Sequence, residues 1–132
     1  MELKDLKAVS GLIKAFFDVY QELTVVGIVL PTGWFGRPYD NYYTLISIDV
    51  DPEGDSLLLD LSYAWRLSIK PLSAELSDSR YELTVRVESG EMVATAVKQR
   101  FGSGEVVFCV EKSPYASAAL AANGKLLEPF IR

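Results

Sequence analysis

Hydrophobic residues recur every three or four positions over residues 3–23. The repeat consists of Leu6, Val9, Ile13, Phe16, Tyr20 and Leu23, widened by Leu12 and Phe17. This spacing places apolar side chains on one face of an α-helix, so the sequence predicts an amphipathic helix that packs on the rest of the domain. Because glycine disfavours a helix interior, we expect Ser10-Gly11 either to kink this helix or to mark its start.

After residue 23 the hydrophobic period changes to two, which is typical of β-strands. Residues 24–30 are almost wholly apolar and predict a strand covered on both faces, and residues 42–50 predict another strand. From 57 to 69 every second residue is apolar. Since this is long for one strand, we expect it to bend, to carry a bulge or to serve two neighbouring layers.

The second half of the chain predicts three more strands. Residues 81–88 alternate between apolar and polar side chains, and a turn at 89–90 leads into a strand over 92–99, which predicts a hairpin. A further turn at 102–104 leads to a strand over 105–111. We therefore expect the three strands to form a meander.

The C-terminal part carries the signals of a short helix. Ser113 is a capping residue, Pro114 suits the first helical position, residues 115–122 are rich in alanine, and Asn-Gly at 123–124 ends the pattern. The apolar tail over 126–132 is expected to dock on the domain or on a second copy.

These elements predict one domain over residues 1–132, without a linker or an internal repeat. The fold class is α+β. We expect the N-terminal helix to pack on a strongly curved, mainly antiparallel sheet, or a partly open barrel, of about six or seven strands, followed by the short C-terminal helix.

Charge and cysteine content narrow the classes of partner and compartment. Thirteen Lys and Arg against eighteen Asp and Glu give a net charge of −5, and the basic residues are scattered, which argues against nucleic acid as a partner. No apolar run is long enough to cross a membrane, and the N-terminus lacks the features of a secretory signal. Cys109 is the single cysteine, so no disulfide can form within the chain. We expect a cytoplasmic protein.

The chain contains no histidine, which removes many catalytic mechanisms. Ser-His-Asp and Cys-His catalysis, histidine-ligated metals and a histidine acid or base are excluded. One cysteine also excludes thiolate metal cages and iron–sulfur clusters, and no nucleotide-binding motif is present. We therefore predict that the protein uses no cofactor and no metal. We also favour a binding protein over an enzyme.

The segment 31–43 is the strongest candidate for a functional site. Five of the fifteen aromatic residues of the chain fall within it, beside charged and amide side chains. Aromatic faces stack on ligands, and arginine with aspartate gives directed hydrogen bonds. The predicted binding residues are Trp34, Phe35, Arg37, Tyr39, Asp40, Asn41, Tyr42 and Tyr43. The structural alternative is that Trp34 and Phe35 plug one end of the sheet while Arg37 pairs with Asp40.

An acidic stretch over residues 49–55, with Asp60 beyond it, resembles a calcium-binding loop in its spacing of oxygen ligands. Strand-like alternation on both sides and a proline inside the loop favour an ordinary hairpin turn instead. We therefore predict no metal site there.

The absence of catalytic groups and the aromatic segment together predict a small non-enzymatic binding protein. Its partner would be another protein, with the acidic surface favouring a basic one, as for an inhibitor or antidote of an enzyme. One alternative is a small-molecule pocket between the helix and the sheet, catalytic or not, with Arg37, Asp40 and Tyr43 at its mouth. The other is a structural homo-oligomer, for example a homodimer.

Overall fold

The N-terminal helix α1 runs over Leu3–Tyr20 and continues into a single 3-10 turn at Gln21–Leu23. The structure, a computed structural model, describes residues 3–35, 42–77, 80–94, 97–110 and 113. The helix is continuous past Ser10-Gly11, so a start at Ser10 is wrong. Buried apolar residues on both sides of Gly11 hold the helix to the core, whereas Gly11 itself is exposed.

The remaining described elements are eight strands, all paired antiparallel in one sheet. They are β1 (Thr24–Leu30), β2 (Gly33–Phe35), β3 (Leu45–Asp51), β4 (Ser56–Leu61), β5 (Trp65–Leu76), β6 (Glu82–Ala94), β7 (Val97–Phe101) and β8 (Gly104–Val110). Seven strands follow the order β2-β1-β8-β6-β5-β4-β3, and β7 pairs with β6 beside this path. The predicted α+β fold is thus confirmed. The predicted C-terminal helix and the tail lie outside the described residues.

The long alternation over residues 57–69 is a hairpin, so the prediction of one bent or bulged strand is wrong. Strands β4 and β5 meet with Leu61 opposite Trp65, and residues 62–64 form the turn. Three connecting residues leave Leu61 and Trp65 an even number of positions apart, so the two-residue rhythm passes through the turn unbroken. Tyr63 and Ala64 adopt positive φ angles of 63° and 60° there.

The predicted turn at residues 89–90 is also wrong, because β6 runs straight through Gly90. Strands β7 and β8 lie end to end along one edge of β6, with Gly90 opposite Phe101 and Val87 opposite Gly104. Residues 102–103 separate β7 from β8, but the chain keeps its direction there. The predicted turn at 102–104 is therefore wrong, and β7 and β8 do not form a hairpin. Pairing with one continuous β6 explains this arrangement, since both strands keep the same register.

The sheet curves around α1, which packs against β3, β4 and β5. The ring of Phe17 on the helix meets that of Phe108 on β8 at a centroid distance of 5.4 Å. A single bridge joins Thr24 at the start of β1 to Tyr43, just before β3, but the sheet does not close into a barrel. The space between helix and sheet is filled by apolar side chains.

Strands β1 and β8 are buried on both faces, as predicted for residues 24–30. Val26 and Phe108 belong to the core beneath α1. Val25, Val107 and Cys109 form a second buried cluster. Because neighbouring side chains point to opposite faces of a strand, the second cluster lies on the other side of the sheet.

The acidic stretch forms the turn of the β3–β4 hairpin, as the alternative to a calcium loop predicted. Asp51 pairs with Ser56 across the hairpin. The Oδ1 atom of Asp51 accepts hydrogen bonds from the backbone N–H groups of Glu53 and Gly54 at 3.2 and 3.3 Å. The carboxylate of Asp51 thus stabilises the turn itself.

Candidate binding surface

The first part of the predicted aromatic segment is the short strand β2. Its residues pair with β1, with Gly33 opposite Leu30 and Phe35 opposite Ile28. Gly33 has a φ of 120°, a conformation that favours glycine. For Trp34 and Phe35 the structure describes the backbone alone. Arg37, Tyr39, Asp40 and Asn41 lie outside the described residues, and so does the predicted pairing of Arg37 with Asp40.

The two tyrosines that end the segment occupy different environments. Tyr43 is fully buried in the core, and its backbone N–H donates to the carbonyl oxygen of Thr24 at 2.7 Å. Tyr42 keeps 38% of its surface exposed. Of these two predicted site residues, Tyr42 is therefore the one that offers aromatic surface to solvent.

Tyr63 carries no sequence signal of a binding residue, but the fold brings it to the same place as Tyr43. This residue lies at the tip of the β4–β5 hairpin and is 68% exposed. Its ring meets the ring of Tyr43 edge to face, with centroids 6.2 Å apart and planes at 84°. Among its residues 62–64 only Ser62 is of a type that favours turns, and no glycine, asparagine or proline is present, so the sequence signal of the turn was weak.

Hydrogen bonds join the hairpin tip to the end of the aromatic segment. The backbone N–H of Thr44 donates to Ser62 Oγ at 3.1 Å, and the backbone N–H of Ser62 donates to the carbonyl of Thr44 at 3.0 Å. We call this region, which contains the exposed Tyr42 and Tyr63 and the buried Tyr43, the tyrosine end.

A charged pair lies close to the tip of the same hairpin, one cross-strand pair from Leu61 and Trp65. Arg66 Nε donates to Asp60 Oδ1 at 2.7 Å, and Ser47 Oγ donates to Asp60 Oδ2 at 3.1 Å. The hydrogen bond from Arg66, helped by that from Ser47, lowers the pKa of Asp60. Asp60 is thus ionised, and both of its carboxylate oxygens accept hydrogen bonds. A lowered pKa is the opposite of what a catalytic acid needs.

Two depressions elsewhere on the surface have contrasting chemistry. One of about 310 Å³ lies on the sheet and is lined largely by serine and charged side chains. The other, of about 320 Å³, is an apolar groove between α1 and the ends of β5 and β6. The single thiol is a poor nucleophile, because burial raises the pKa of Cys109 to about 12 and keeps the thiol protonated.

Among the described residues, no group of three or more carboxylate or thiol side chains is arranged to hold a metal ion. None of the described helices has the length and apolar character needed to span a bilayer.

Comparison of the chain with protein-family models, with curated proteins and with solved structures gives no match.

Proposed function

We propose that this protein is a small non-enzymatic binding protein that holds a partner protein at the tyrosine end. The observation that carries the proposal is the conformation of Tyr63. An aromatic ring is kept in solvent on a backbone with a φ of 63° and rests against the fully buried Tyr43. A left-handed non-glycine residue costs on the order of 1–2 kcal/mol, and such strain is concentrated at functional sites.

The chemistry of the tyrosine end suits a protein partner. Tyrosine offers a large, rigid apolar face and a polar hydroxyl, and it is enriched among the residues that contribute most to binding energy. The hydrogen bonds between Thr44 and Ser62 fix the hairpin before a partner arrives, which limits the entropy lost on binding. The net charge of −5 favours a basic partner, as for an inhibitor or antidote.

The proposal also includes the remaining predicted binding residues, Trp34, Phe35, Arg37, Tyr39, Asp40 and Asn41. They belong to the same aromatic segment as Tyr42. The alternative of a small-molecule pocket between α1 and the sheet draws less support, because core side chains fill the space there and Tyr43 is one of them.

A photo-crosslinking amino acid at position 63 tests the proposal, with position 81 as the matched control. Tyr81 is also an exposed tyrosine, with the same 38% exposure as Tyr42. We expect an identified protein to be captured from position 63 and not from position 81. With that protein purified, Tyr63→Ala and Tyr42→Ala should weaken binding by about 30-fold or more if these residues dominate the interface, while Tyr81→Ala leaves it unchanged. Equal capture or equal affinities would refute the proposal.

A second candidate function is self-association through the apolar groove beside α1. Val19 is 72% exposed, and Leu12 and Leu76 are each 43% exposed around the groove. Exposed apolar surface of this kind is typical of protein–protein interfaces, and the partner in this second candidate function is another copy of the chain. Sedimentation of the wild type as a dimer, and of Val19→Lys as a monomer, would support this function, and a monomeric wild type at high concentration would refute it.

A further inference from the structure

The outer face of the sheet carries a polar cleft that the proposed function does not use. Its volume is about 310 Å³, and its polar lining consists of Ser56, Ser68, Lys70, Ser89, Glu91 and Arg100. At roughly 3.3 Å per strand residue, Lys70 is roughly 17 Å along β5 from Trp65, and Tyr63 lies beyond Trp65 in the turn. The cleft and the tyrosine end are therefore separate surfaces.

Strand alternation and register explain how the cleft forms. Leu67 and Ile69 on β5 are buried, so Ser68 and Lys70 point to the opposite, outer face. Lys70 pairs across the strands with Ser89, and Ser68 pairs with Glu91. Short serine side chains beside long charged ones leave a depression, with the half-buried Lys70 in its wall.

The charges around the cleft leave an excess of cations. Glu91 Oε2 accepts from Lys98 Nζ and from Arg100 Nε, each at 3.1 Å. Hydrogen bonding from Lys98, with a further contribution from Arg100, lowers the pKa of Glu91, which is therefore ionised and matched by two cations. Lys70 forms no ion pair with any residue that the structure describes.

We propose that this cleft binds the phosphate group of a small phosphate ester. Lys70 supplies a compact positive charge, and the serine hydroxyls supply neutral donors. The Nε atom of Arg100 donates to Glu91, which leaves its terminal guanidinium N–H groups for the phosphate oxygens.

Size and charge select the class of phosphate ligand. A volume of about 310 Å³ lies at the lower end of the range for small-molecule pockets. The cleft and its rim hold three cations and one carboxylate, whereas the chain as a whole has a net charge of −5. This local excess suits a monoester, while long polyphosphates are repelled by the rest of the surface.

A titration of the full chain with glycerol 3-phosphate, followed by amide chemical shifts at constant ionic strength, tests the proposal. We expect saturable shifts at residues 68–70, 89–91 and 100, and a weaker response of the same residues to inorganic phosphate. Lys70→Gln and Arg100→Gln should each reduce the affinity by about ten-fold or more. Lys14→Gln on α1 and Arg86→Gln on β6 are matched controls, since both residues are exposed and lie outside the cleft lining.

Two results would overturn the proposal: shifts that never saturate, or shifts that are as strong in the Lys70→Gln and Arg100→Gln variants as in the wild type. Circular dichroism of both variants verifies that they fold. If either variant is unfolded, Ser89→Asp is the substitute, because it adds a negative charge next to Lys70 at an exposed position. Retained binding in that variant would also overturn the proposal. Neither result bears on the tyrosine end.

Discussion

The ring of Phe101 on β7 covers Gly90 on β6, its cross-strand partner, so closely that a Cβ atom at position 90 would overlap the ring. Phe101 is buried, with 6% of its surface exposed. This pair explains why a glycine stands in the middle of a long strand, where it would otherwise weaken the strand. It also explains why the serine and glycine at residues 89–90 do not form a turn.

Gly90→Ala should therefore lower the free energy of unfolding by about 1–3 kcal/mol, because the added methyl group forces Phe101 out of its position. The matched control is Gly11→Ala, where the added Cβ meets no described atom within 4 Å beyond its chain neighbours and the adjacent helix backbone. That change should raise stability by about 0.5–1 kcal/mol, since alanine favours the helix. Urea denaturation measures both effects. Wild-type stability in Gly90→Ala would contradict the described packing.

The β4–β5 turn stores strain that a glycine should release. Ala64 has a φ of 60°, a conformation that costs alanine on the order of 1–2 kcal/mol. Ala64→Gly should raise stability by up to about 1 kcal/mol after the larger entropy of the unfolded glycine chain is counted. The same substitution at Ala74, within β5 and packed against the core, should lower it by about 1 kcal/mol. Thermal unfolding of the two variants measures both effects. If Ala64→Gly is less stable than Ala74→Gly, the described conformation of the turn is wrong.

Thr24 has a fully buried side chain whose Oγ1 atom has no hydrogen-bond partner among the described residues. Burial of an unpaired hydroxyl costs about 1–3 kcal/mol, and valine has nearly the same shape. Thr24→Val should therefore stabilise the protein by about 1 kcal/mol, while Thr32→Val at an exposed turn position should have little effect. A loss of stability in Thr24→Val, seen by chemical denaturation, would point to a hydrogen bond at this hydroxyl.

Cys109 should resist thiol reagents in the folded protein. Burial raises the pKa of its thiol from an ordinary value of 9.0 to about 12, helped by the charge of Glu82, and the side chain is fully buried. Reaction with a chromogenic disulfide at pH 8 should be at least about 100-fold slower in the native protein than in urea. Rapid native labelling would show that this side of the sheet opens readily.

The same thiol should make stability fall at high pH. Below pH 9 it is protonated in both the folded and the unfolded state, so it has no pH-dependent effect. Between pH 9 and about 12 the unfolded chain releases the proton and the folded chain retains it, which favours unfolding. Denaturation curves for the wild type and for Cys109→Ala should diverge in this interval, and parallel curves would argue against the raised pKa.

The sequence allowed the tyrosine end to be predicted in part. Tyr42 was identified because it belongs to an unusually aromatic segment, and aromatic composition is local information. Tyr63 was missed because it sits in a regular alternation and gains its importance from contact with Tyr43, twenty positions earlier in the chain. The polar cleft was missed for a similar reason, since Lys70, Ser89 and Arg100 come together through strand pairing alone.

By itself the sequence determined the helix, the location of most strands and the α+β class, because periods of three to four and of two residues follow from local backbone geometry. Only the tertiary structure decided where strands reverse and where they continue. The chain turns at residues 62–64 although Tyr63 and Ala64 disfavour the positive φ that they adopt there, and it does not turn at Gly90 although glycine permits a turn. In both places the pairing of strands and the burial of side chains outweigh local preference, and these energies depend on residues outside the turn or the glycine itself.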